Sequence, residues 1–214
     1  MPNWDENSSE LFENLMRAAK LFKDEAQRRD DPSLAAIKKW HAVTMHGLSG
    51  LKHLDMAGGF RGEPNLDYQV WVHPNEGVAP ENVAAELDAW IERFRAGISI
   101  LDEAIPAGAP PLDTKSLRGV VKLAAWAHAE WVRIHPFCNG NGRTARMIAN
   151  YVFLRYALPP CVQLRPRPEE AIYAVASAEA MRKKDNYELT YELFLKWVIA
   201  HLEVWRRRED NGGD

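Results

Sequence analysis

His135, Asn139, Asn141, Arg143 and Arg146 fall within the twelve residues HPFCNGNGRTAR, 135–146, between two apolar runs of helical spacing. An ordinary link between helices needs a Gly or a Pro, not this concentration of His, Asn, Gly and Arg. Gly140 and Gly142 permit backbone conformations that turn successive N–H groups toward one point. A helix opening directly after them contributes first-turn amides and the positive end of its dipole, both of which favour an anion. Arg143 and Arg146, three apart and therefore on one helix face, add guanidinium forks suited to phosphate oxygens. Together these residues describe a cradle for a di- or triphosphate. His135 stands just ahead of it, biased toward extended geometry by Pro136. A neutral imidazole there, with a pKa near 7, takes the proton from a hydroxyl attacking a bound phosphate. Phe137 is the apolar pin of the loop. Singly, each residue has a plainer reading, a structural histidine or a Gly–Asn turn; the spacing as a whole does not.

Several elements must position this loop. Apolar positions predict a helix from Ser9 to about Arg29, a second from Ser33 to Leu48, and one opening at Pro80. The two runs around the loop, Leu117–Ile134 and Arg143–Ala157, are apolar on more than one face, and further helices are expected over Glu169–Met181 and from Glu188 to about Arg207. Between residues 58 and 77 the texture changes: Tyr68, Val70 and Val72 alternate with Gln69, Trp71 and His73 between Gly and Pro, which predicts a short strand pair. The expected fold is all-α, a helical bundle with one small β-hairpin. Trp126, Trp131 and Trp197 are expected in the core, and His41, His46 and His53, not at metal-ligating spacing, as surface or packing residues.

The chain has 214 residues and is 46% hydrophobic, enough for one sizeable core. Its 27 basic and 30 acidic residues leave a formal charge of −3, so composition gives no case for nucleic acid or a membrane surface, and any anion site must be local. Apolar stretches are broken by charges before the roughly 20 residues a bilayer span requires, and no basic-then-apolar leader opens the sequence. A cytoplasmic location is the expectation. Cys138 and Cys161 form neither a disulfide framework nor zinc spacing.

HPFCNGNGRTAR resembles the signature of the Fic family: His-Pro-Phe, any residue, Asp or Glu, Gly-Asn-Gly-Arg, two residues, Arg. GGFRGEP, VWVHPNEGVAPENV and AWAHAEWVRI are similar to the family's Gly-x-Phe/Tyr-Arg segment, its substrate-docking flap and the helix before the loop, so the resemblance runs from about Ile37 to Tyr156. It implies transfer of AMP from ATP to a Ser, Thr or Tyr hydroxyl of a target protein. His135 would be the base; the amides of Gly140, Asn141 and Gly142 with the Asn141 side chain would hold the α- and β-phosphates; Arg143 and Arg146 would balance the β- and γ-phosphates. Val70, Trp71, Val72 and His73 would receive the target as an added strand. By this reading residues 33–208 form the catalytic unit, 1–32 an N-terminal helical segment and 209–214 a polar tail.

One fixed position departs. Asn139 stands where the family has an acidic ligand for Mg2+, and its uncharged amide oxygen implies a weaker metal site, the ion held largely by the nucleotide. Open alternatives are therefore a nucleotide-binding protein without transfer or with another specificity, and a toxin controlled by a separate antitoxin chain; a homo-oligomer also stays open. Finally, SELFEN, with Ser9, Glu13 and Asn14, is similar to the family's inhibitory pattern, in which the glutamate would pair with Arg146 and compete with a triphosphate for one guanidinium. The plainer account is a solvated Glu on an amphipathic helix with Ser9 as N-cap.

Overall fold

The computed structural model describes residues 8–48, 54–72, 74–169 and 171–210. His53 and His73 lie outside these residues. Among them the order is α1 (Ser9–Arg28), α2 (Leu34–Met45), a 3-10 turn (Leu54–Met56), β1 (Trp71–Val72), β2 (Asn75–Glu76), α3 (Pro80–Ala104), α4 (Thr114–Ile134), α5 (Asn141–Arg155), α6 (Ala171–Arg182) and α7 (Glu188–Asp210). The helical architecture with a single small hairpin is as the sequence predicts. None of these helices is long and apolar enough to cross a membrane.

Caps set where the helices start. Ser8, one residue earlier than expected, caps α1 by accepting from Leu11 N at 3.1 Å, and Leu11, Leu15, Ala18, Phe22 and Ala26 form its buried stripe. Asp113 caps α4 through Ser116 N at 2.8 Å, so that helix begins three residues before the expected Leu117. The strand pair is shorter than the alternation suggested: only Trp71 and Val72 pair, antiparallel, with Glu76 and Asn75.

The centre is α4 and α5, joined by the loop. α4 packs on α3, α5, α6 and α7, and α5 is covered by α1, α2 and α4. Both are buried on nearly every side, α4 through alanines 124, 125, 127 and 129 that let neighbours approach, with Trp131 fully inside. Trp126 is also core, whereas Trp197 is partly buried against Phe194 and Tyr173. At the C-terminal end of α5, Arg155 is locked in place: Nη2 lies 2.6 Å from Asp102, Nη1 donates to Asp30 O at 2.9 Å and to Tyr151 Oη at 3.1 Å. This end ties α1, α3 and α5 together and leaves the other end of α5 to the loop.

Candidate active site

The loop is built from its own side chains. The Asn141 carboxamide closes it: Oδ1 accepts from Phe137 N at 2.9 Å and Nδ2 donates to Phe137 O at 2.7 Å. Asn139 Oδ1 accepts from Gly140 N at 2.7 Å. Two expected phosphate donors are therefore already engaged, the Asn141 side chain and the Gly140 amide. The donors that remain at this end are the first-turn amides of α5, which have no partner inside the helix. Gly140 is required by geometry: its φ is +76°, and a Cβ would come within 3.0 Å of His41 Nε2 and 3.1 Å of Met45 Sδ.

His41, read from sequence as a surface or packing residue, is the floor of this loop. Its ring stacks on Phe137 at 3.6 Å and 7°. Nδ1 accepts from Gly58 N at 2.9 Å, so the proton is on Nε2, which donates to Asn139 O at 2.9 Å. Burial lowers its pKa from 6.5 to about 4, which keeps this neutral tautomer in place.

His135 ends α4 with φ 53° and ψ 54°, left-handed and not the extended geometry expected before a proline. A non-glycine residue holds that conformation only when its surroundings impose it. Arg61, 1% exposed, does so: Nε donates to His135 O at 2.8 Å, Nη2 to Ile134 O at 3.0 Å and Val78 O at 2.7 Å, and Nη1 to Tyr68 O at 3.1 Å. Arg61 thus fastens His135, the loop and the root of the hairpin to one guanidinium. His135 Nδ1 faces Val132 O at 3.1 Å and must carry the proton, leaving Nε2 as the lone-pair nitrogen. Its pKa is lowered to about 4, chiefly by burial, not near 7 as the sequence suggests. The ring is neutral at physiological pH, and an anionic phosphate beside it would raise its proton affinity.

His135, Asn139, Gly140, Asn141, Gly142, Arg143 and Arg146 line a single cavity of about 390 Å³, so every residue expected to act on a phosphate is brought together. The hairpin closes one side through Val72 and Asn75, while Trp71 is 56% exposed. Val70 is buried and accepts from Gly77 N at 3.0 Å. Gly77 meets His135 directly, since a Cβ there would lie 2.9 Å from the His135 Cβ.

The opposite wall, from α6 and the segment before it, was not singled out from sequence. Arg146 is 4% exposed; Nη2 donates to Leu164 O at 3.0 Å, Nη1 to Tyr173 Oη at 3.4 Å, and buried Nε has no partner. Tyr173 Oη in turn meets His128 Nε2 at 3.1 Å. Burial first, then the Arg146 charge, lowers the His128 pKa to about 3, which keeps this ring neutral. The Arg167 guanidinium lies over the Tyr173 ring, 5.5 Å from its centroid, and also lines the cavity. Tyr173 and Arg167 follow the motif by more than twenty residues, and no local spacing ties them to it.

Two expectations fail here. Glu13 is 69% exposed at its side chain and lies 3.8 Å from Arg17, while Arg146 is held by Leu164 and Tyr173, so the inhibitory pair is not formed. Asn14 instead joins α1 to α2, donating to His46 O at 2.7 Å and Thr44 O at 3.2 Å, and Ser9 follows the capping Ser8. A solvated glutamate on an amphipathic helix is what the structure contains. Nor do the residues at position 139 and around it fit Mg2+ well: the amide oxygen of Asn139 is uncharged and shared with Gly140 N, and no Asp or Glu is among the described lining residues.

Comparison with known proteins agrees with this geometry. The Fic/DOC family model matches residues 31–153, more than half of the chain. A stretch of 89 residues is 50% identical to Protein adenylyltransferase Fic of Aedes aegypti, covering 38% of this chain and 18% of that protein. Another of 94 residues is 34% identical to Protein adenylyltransferase fic-1 of Caenorhabditis briggsae, covering 44% and 15%. The chain therefore spans less than a fifth of the length of these curated relatives. In fold it is similar to a Fic-domain-containing signalling protein from Bacteroides thetaiotaomicron, with a TM-score of 0.63 at 21% identity over 89% of this chain and 66% of that one. It is also similar to Fic-1 from C. elegans, with a TM-score of 0.60 at 19% identity over 93% and 51%.

Proposed function

Because this chain belongs to the Fic/DOC family, we propose that it is a protein adenylyltransferase, moving AMP from ATP to a Ser, Thr or Tyr hydroxyl of a target protein. The observation that carries this reading is that one cavity is lined together by His135, the opening of α5, Arg143 and Arg146. Relatives named protein adenylyltransferase support it. In the reaction the hydroxyl oxygen bonds to the α-phosphorus, the bond from that phosphorus to the bridging oxygen breaks, His135 Nε2 takes the hydroxyl proton, and pyrophosphate leaves. The α5 amides and the arginines meet the charge on the phosphates, which is electrostatic stabilisation by groups already in position. The target adds a strand to β1, whose Trp71 and Val72 are exposed beside the cavity mouth.

Mass spectrometry after incubation with ATP tests this: an AMP mass on a hydroxyl of the protein or of a candidate target is expected, lost in His135→Ala. Binding of ATP with no such mass in the wild type would favour the second reading, a nucleotide-binding protein without transfer, which the occupied Asn139 oxygen supports.

A further inference from the structure

We propose that the cavity takes its nucleoside triphosphate without a divalent cation, Arg167 supplying a third guanidinium where a metal would otherwise offset the phosphate charge. This rests on reading the cavity as a nucleotide site, and goes beyond it in naming the counter-charge.

The lining is charged with one sign only. Arg143, Arg146 and Arg167 contribute guanidiniums, and no Asp or Glu is among the described lining residues. Mg2+ at a nucleotide site is held by one or two carboxylates together with the phosphates and waters, and no such carboxylate is among the described lining residues. Among the described residues there is no group of three His, Cys, Asp or Glu that could hold an ion. Asn139 brings only an uncharged amide oxygen, one lone pair of which already accepts from Gly140 N.

Arg167 is placed to act as the substitute. It is exposed, pairs with no carboxylate among the described residues, and its guanidinium is held over the face of Tyr173. The hydroxyl of that same ring is 3.4 Å from Arg146 Nη1, so one aromatic side chain sets both guanidiniums at the same wall of the cavity. Stacking on an aromatic face restrains a guanidinium while leaving its N–H edge for an anion. Pro166 and Pro168 on either side restrict the backbone that carries it.

Isothermal titration of ATP into the whole protein, once in EDTA and once in excess magnesium, tests the proposal. The wild type is expected to change affinity less than about threefold between the two buffers, while Arg167→Ala loses about tenfold or more in EDTA with its melting temperature unchanged. Arg167→Lys, which keeps the charge, is expected to recover part of that loss. Asn139→Asp, able to cap Gly140 with one oxygen and offer the other to a cation, is expected to become magnesium-dependent. A wild type that loses tenfold or more of its affinity in EDTA would overturn the proposal and leave the nucleotide reading standing, as would Arg167→Ala binding like the wild type. A wild type that binds ATP in neither buffer would overturn both.

Discussion

Arg146 and Arg155 sit nine residues apart on α5, and each is 4% exposed. At the C-terminal end Arg155 meets the Asp102 carboxylate, a backbone carbonyl and a tyrosine hydroxyl, and Asp102 also receives Tyr156 Oη at 3.0 Å. At the N-terminal end the partners of Arg146 among the described residues are neutral oxygens, and its buried Nε has none of them. A buried charge without a counter-ion is costly, so a fold tolerates it where something other than stability is served. The same residue type, on the same helix and at the same depth, is a rivet at one end and, in the proposed reading, an anion receptor at the other. Burial does not tell the two apart; the charge of the partner does.

The sharpest way to separate the two ends is to remove the proton acceptor. His135→Ala is expected to lower AMP transfer about 10²–10⁴-fold with ATP affinity and melting temperature little changed, read by adduct formation and calorimetry. Arg155→Met attacks the other end: it takes from Asp102 its nearest cation, leaving Arg29 at 3.5 Å and Tyr156, and is expected to cost up to about 3 kcal/mol in urea unfolding, less by whatever solvent screens the partly exposed carboxylate. Arg146→Met should behave oppositely, weakening ATP about tenfold or more while stability holds or rises by about 1 kcal/mol. A destabilisation like that of Arg155→Met would erase the contrast.

Acid sharpens it further, with a smaller effect. The carboxyl of Asp102 is held below its ordinary 3.8: burial alone would raise it, and the bonds and charge of Arg155, with Tyr156 and Arg29, outweigh that. The stability it contributes is therefore complete above about pH 4 and is lost below. His41, His135 and His128, lowered by burial from 6.5 to about 4, 4 and 3, contribute stability that is complete above 6.5 and is lost as pH falls from there to about 4, or about 3 for His128. Unfolding free energy against pH should thus show two declines, the upper one reduced in His128→Phe and the lower one in Asp102→Asn.

The bundle and the loop were legible in the sequence because both are local. Helical spacing declares a helix, and HPFCNGNGRTAR declares its donors within one turn of chain. What sequence did not reveal depends on distance along the chain. His41 reaches Asn139 across 98 residues, Arg61 reaches His135 across 74, and Tyr173 reaches Arg146 across 27, and nothing in residue order sets those meetings. SELFEN misled for a related reason: the pattern records residue types, while the face that Glu13 presents is fixed by packing, which buries Leu11, Asn14 and Leu15 and turns Glu13 outward. The strand pair was overextended because alternation marks accessible and buried sides, not pairing, and only two residues on each strand pair here.

Gly77 has a practical bearing on redirecting such an enzyme. Because the hairpin rests bare backbone against the Cβ of His135, the surface that would greet a target and the atom that would deprotonate it share one seat. A transplanted hairpin could carry any side chains at Trp71 and Val72 that a new target wants, but at position 77 it would have to bring no side chain at all, or it would tilt the imidazole along with the guest.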